Sequence, residues 1–204
     1  MPDTHHTARQ GSATETPTRD LAQWVAEVPS TDFTDRPRRW AKHAILDWFG
    51  VTLAGATDPL VGILAGDALD AGEGGNARLV GRKEKVTPTI AAMINGAASH
   101  ALDYDDVNKR LHGHPTVPVV PAILALAEQK GLAGRAVVDA FIVGYETECL
   151  ISEMMGMNHY DHGWHATATV GTFGAAAGCA RLLGLDAGKS AMALGIAATQ
   201  AAGL

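Results

Sequence analysis

The chain has 204 residues, 47% of them hydrophobic, and a formal net charge of −6 at neutral pH. That length fits one domain able to bury roughly 70% of its unfolded surface, with no need of disulfide or metal staples. The acidic balance excludes a nucleic-acid binder, which needs a basic face, and every long apolar segment is too interrupted to span a membrane.

Residues 1–16 are polar, rich in Thr, Ser and Gly, and lack the apolar stretch of a secretory signal. They read as a disordered tail, which leaves His5 and His6 idle. Residues 17–204 read as one all-helical domain, because apolar residues recur with a period near 3.6 throughout. Thr18 is placed to cap a first helix reaching about Val28. Its face is Leu21, Trp24, Val25 and Val28. A second helix is expected to open near Pro37, carry Trp40, Ile45, Trp48 and Phe49, and stop at Gly55. A third covers residues 60–69, and the loop after it is expected to hold a short strand over 77–80. Pro88 opens a fourth helix, reaching about Leu102. The remaining expected helices cover 117–129, 135–155, 166–183 and 187–201. Cys149 and Cys179 lie in apolar helical patterns outside any CxxC pair. They read as small buried hydrophobes, compatible with a reducing cytoplasm.

Between the fourth and fifth helices runs HALDYDDVNKRLHGHPT, residues 100–116. It gathers Asp103, Asp105, Asp106, His112 and His114, with His100 leading. Titratable side chains on a loop held by rigid helices are the usual setting of catalysis. Pro115, Pro118 and Pro121 suit a first helical turn, whose N–H groups have no intrahelical acceptor. Thr116 would then cap a helix starting at Val117, with His114 just outside it. A helix start favours a bound carboxylate. YDHGWHAT, residues 160–167, repeats the arrangement, with His165 at the start of the next long helix. Asp103 is the candidate base or imidazole orienter. Asp105 and Asp106 read as loop caps, His43 and His100 as structural helix residues, and His112, His159 and His162 as loop residues. Lys109 and Arg110 either attract an acidic substrate or form a surface charge pair. The same His/Asp set offers ligands for a divalent metal, but no HExxH or EF-hand spacing supports one.

HALDYDDVNKRLHGHPTVPVVPAILALAE, together with AKHAILDWFGVTLAG, AAMINGAASHALD and GWHATATVGTFGAAAGCARLLGL, resembles the MmgE/PrpD family. The resemblance runs over about residues 18–204. It implies a helical domain that dimerises, followed by a smaller α/β lid. It further implies acid–base lyase chemistry on small di- and tricarboxylates, with no metal or organic cofactor. The family's motif positions fall on Asp103, His114 and His165 as catalytic residues. His112 and Thr116 are expected substrate neighbours. Val107 stands where several members place a substrate-holding threonine. The family's active-site lysines lie beyond the QAAGL segment, so the expectation is an incomplete lyase with the lid absent. The other expectations are a non-catalytic helical partner module and a metal-dependent hydrolase.

Overall fold

A computed structural model describes residues 16–203, so the expected tail, Thr16 apart, lies outside the described residues. The described residues form α1 (Pro17–Glu27), α2 (Asp35–Gly55), α3 (Pro59–Asp70), β1 (Gly74–Arg78), β2 (Lys85–Val86), α4 (Pro88–His100), α5 (Thr116–Lys130), α6 (Gly134–Met155), α7 (Asn158–Asp161), α8 (Ala166–Leu182) and α9 (Ala187–Gln200). This is the expected all-α bundle, with one antiparallel two-stranded hairpin as its only sheet among the described residues. No single described helix is long and apolar enough to cross a membrane; only α2 and α3, which meet at 85°, have that composition when taken together.

Several boundaries differ from the sequence reading. Pro17 starts α1 one residue before Thr18, with Thr16 at its cap position. Asp35, not Pro37, opens α2. The strand sits at Gly74–Arg78 rather than 77–80, because Leu79 and Val80 turn inward after the ladder. The one-turn α7 was not anticipated, since four residues carry no readable period.

The bundle is built around α8, which packs against α5, α6 and α9, while α5 also packs on α4 and α1 lies on α9. Its largest core gathers Val25, Trp48, Val119, Val120, Ile123, Val143 and Ala177. A second core, with Val61, Val86 and Ile94, lies under the hairpin. The α6–α8 contact is close because it lacks side chains. A Cβ on Gly144 would stand 2.7 Å from the Gly174 carbonyl oxygen, and one on Gly174 would stand 2.5 Å from Glu148 Oε2. At the far end of α8, the Arg181 guanidinium donates to the carbonyls of Ala26 (3.1 Å) and Val28 (2.7 Å), finishing α1.

α5 begins at Thr116 itself, with Pro115 at its cap position, so Thr116 does not cap it. Pro118 falls in the first turn, whereas Pro121 lies inside the helix. Lacking an N–H, Pro121 leaves the Val117 carbonyl four residues earlier without its helical donor.

Candidate active site

The segment joining α4 to α5 is irregular but firmly held. Leu111 is its anchor: fully buried, it packs with Cys149, Ala166 and Val170, and its carbonyl accepts from Ser152 Oγ at 2.8 Å. Asn108 closes the loop on itself, donating its N–H to the Gly113 carbonyl (3.0 Å) and accepting from His112 N–H (2.9 Å). Arg110 is clamped by Glu153 at 2.7 Å and 3.1 Å and by Glu146 at 2.8 Å. These bonds hold its guanidinium charge firmly, so it is not free to draw in a substrate. Gly113 is needed for close approach: a Cβ there would stand 2.5 Å from Thr167 Oγ1. His114 N–H donates to that same hydroxyl at 3.0 Å. The loop is thereby fixed to the first turn of α8.

Thus held, the loop folds four side chains onto one point. His100 Nδ1 lies 3.0 Å and 3.1 Å from the two oxygens of Asp105. His114 Nδ1 lies 3.2 Å from Asp105 Oδ2, and its Nε2 lies 3.6 Å from Asp103 Oδ1. The two imidazoles meet edge to face, 4.9 Å between centroids. Asp105 carries no solvent exposure on its side chain, while that of Asp103 is 77% exposed. Asp105 is therefore not a solvated cap, and His100 is not merely a helix residue. Asp103 lies past the end of α4 in the left-handed region, φ 51°.

One donor atom from each of His100, Asp103, Asp105 and His114 falls within 4.8 Å of the others, a spread that a divalent cation can bridge. Direct imidazole–carboxylate pairing accounts for the same closeness. His112 and Asp106 stand outside the quartet.

Asp106 turns the other way. Its Oδ1 accepts from Thr116 N–H at 3.2 Å and from the Thr116 hydroxyl. Burial pushes its carboxyl above the usual range, opposed by those two bonds. Thr116 is fully buried with both donors on Asp106. Through those bonds it shapes the loop. His112 takes up φ 56°, and Val107 is 72% exposed. Val107 and Asp106 border a cavity of about 650 Å³ on the α2–α6 side, with Arg36, Trp40 and Tyr145.

His165 occupies the cap position of α8, as its sequence position predicts, and its N–H donates to the Gly203 carbonyl at 3.2 Å. Its side chain is not in the quartet. It lines an open groove of about 690 Å³ between α4, α5 and α8, together with His100, Val117, Pro118, Thr167 and Gly171. His100 thus belongs to both the quartet and the groove. Nearby, His159 Nε2 is 2.7 Å from Thr169 Oγ1 and half-buried, not a free loop histidine. His162 is exposed, and so is His43, which lies edge-on to Trp40.

Sequence reasoning took Asp105 for a loop cap and His100 for a structural helix residue, and it missed the Thr167 tie; all three depend on contacts between distant segments or on the fold of the loop. It also passed over Glu148, whose carboxyl is completely buried behind the site with neither oxygen hydrogen-bonded. Burial, then the nearby Asp106 charge, raise its pKa well above the usual carboxyl value.

The MmgE/PrpD N-terminal domain matches residues 19–204 as a family profile. A cis-aconitate decarboxylase-like protein of Aspergillus oryzae, oryM, is 32% identical over 195 residues, 92% of this chain and 40% of that protein. The cis-aconitate decarboxylase of Aspergillus terreus is 33% identical over 193 residues, 92% of this chain and 39% of that protein. The human cis-aconitate decarboxylase is 32% identical over 190 residues, 90% and 39% respectively. The chain spans about 40% of the length of the curated relatives it matches.

Proposed function

Because the chain belongs to the MmgE/PrpD family through its N-terminal domain, we propose that it carries the helical part of a lyase acting on a small di- or tricarboxylate. The chemistry is proton transfer beside a carboxylate, with loss of water or carbon dioxide, and calls on no metal or organic cofactor. His114 and His165 bind or protonate the substrate. Asp103, exposed beside His114 Nε2, is the base. Val107 and His112 stand at the loop positions next to the bound molecule. The assembly is a cytoplasmic homodimer through the helical part.

The observation that carries this reading is the approach of Asp103 to His114 at 3.6 Å on a loop tied to the first turn of α8, where His165 stands. Two imidazoles near two helix starts suit a polycarboxylate, because a helix start carries partial positive charge. The names of the relatives point to cis-aconitate as the first ligand to try. Titrating the chain with cis-aconitate while following histidine ring signals by NMR tests the site. Saturable shifts at His114 and His165, abolished by His114→Ala, are expected. A flat titration at both rings removes the substrate assignment.

A second reading is a helical module that contributes packing rather than turnover. Its support is the exposed Met154 on α6 and the exposed Met192 and Ile196 on α9. Mixing the chain with a polypeptide equivalent to the rest of a relative separates the two. Restored turnover that survives His114→Ala favours the packing module.

A further inference from the structure

Asp105 sits at the centre of the quartet, and the acid–base reading gives it no task. Its carboxylate is the only member of the four without solvent exposure on its side chain. Both imidazoles turn the same atom toward it: Nδ1 of His100 at 3.0 Å and Nδ1 of His114 at 3.2 Å. The His114 contact has the distance but not the alignment of a hydrogen bond. That leaves His114 Nδ1 buried with no other partner. A buried polar atom without a partner is costly, so a small rotation of the ring onto Asp105 is favoured. A carboxylate has only acceptors. Each neutral imidazole that pairs with it must therefore carry its proton on Nδ1, leaving Nε2 bare.

We propose that Asp105 is a positioning residue. Its one carboxylate fixes both His100 and His114 in the Nδ1–H tautomer and points both Nε2 atoms away from the core. For His114 the freed Nε2 is on the side of Asp103, whose carboxylate, 3.6 Å away and exposed, is solvated rather than bonded to the ring; for His100 the ring edge lies on the groove shared with His165. The proton that a substrate gains or loses then travels through Nε2, never Nδ1. Only this last step rests on the lyase reading; the tautomers themselves do not.

The test needs no ligand. The whole chain is labelled with 15N-histidine and its ring nitrogens are recorded at about pH 9, where free imidazole is neutral. His100→Gln and His114→Gln variants assign the signals, and exposed His43 is the reference. Both rings are expected to show a protonated Nδ1 and a bare Nε2. Asp105→Leu is the second arm. The change removes both acceptors, so no oxygen of residue 105 faces either Nδ1. Neither ring is then held, and both signal pairs are expected to shift toward the Nε2–H form that free imidazole favours.

A wild-type spectrum with Nε2–H on either ring overturns the proposal, whether or not the variant folds. So does a folded Asp105→Leu chain in which both rings keep Nδ1–H. Cis-aconitate added to the same samples separates the two readings. Nδ1–H rings with no response to the ligand leave Asp105 in its role and end the substrate assignment. A responding site with the opposite tautomers does the reverse.

Discussion

The backbone N–H of His114 donates to the side chain of Thr167, 53 residues further along the chain and 3.0 Å away. One hydroxyl thus joins the acid–imidazole loop to the helix that His165 begins. Thr167 is buried, so replacing it by valine keeps the shape and removes the acceptor. Thr167→Val is expected to lose about 1–3 kcal/mol of stability, the cost of an orphaned donor. Urea denaturation measures the loss, and the His114 ring signals should broaden in the same variant. An unchanged midpoint and an unchanged His114 signal would show that the loop is held by Leu111 and Arg110 alone.

Glu148 gives the bundle a pH dependence of definite sign. Its carboxyl is raised well above the ordinary 4.5 by burial first and Asp106 second. The folded chain therefore holds this proton more tightly than the unfolded chain does. The stabilisation is complete below the unfolded value and is lost as pH rises through the folded one. Unfolding free energies from urea titrations are expected to fall as pH is raised from 5 upward, at about 1.4 kcal/mol per pH unit at most. Glu148→Gln, which cannot ionise, should flatten that slope. A slope identical in wild type and variant would assign the dependence to another group.

His112 holds a left-handed backbone conformation, φ 56°, that costs a residue with a Cβ about 1–2 kcal/mol. Glycine relieves that strain but gives back part of it through the greater freedom of the unfolded chain. His112→Gly is expected to leave stability unchanged or raise it by about 1 kcal/mol. Thermal unfolding reports the effect. If His112 also touches the substrate, the same variant weakens cis-aconitate binding while the fold gains. A large loss of stability would mean that the imidazole has a packing role the backbone does not reveal.

The long helices were legible because burial imposes a period that composition records. Leu21, Trp24 and Val25 in α1 or Trp48 in α2 have no other reason to recur as they do. The paired approach of Asp103 and His114 was legible as well, through their places at a helix end and before a helix start. What the sequence hides is direction. Asp105 and Asp106 are adjacent, yet one turns inward to two imidazoles and the other reaches the start of α5 at Thr116. The left-handed turn at Asp103 and the burial of Leu111 decide that split, and neither has a local signature. His100 was misread for the same reason. A histidine on an apolar helix looks structural until the loop after it folds back. Thr116 was misread because a threonine before a proline-rich helix suits a cap, and here a buried carboxylate captures the hydroxyl first.

The pairing of α1 with α9 has a consequence for synthesis. As the chain leaves the ribosome, α1 emerges long before α9, against which it packs. The carbonyls at its end wait on Arg181 as well. Until α9 is made, then, the stripe of Leu21, Trp24 and Val25 lacks its main cover. A nascent chain of this protein must either be shielded there by a chaperone or risk sticking to its neighbours until α9 is made.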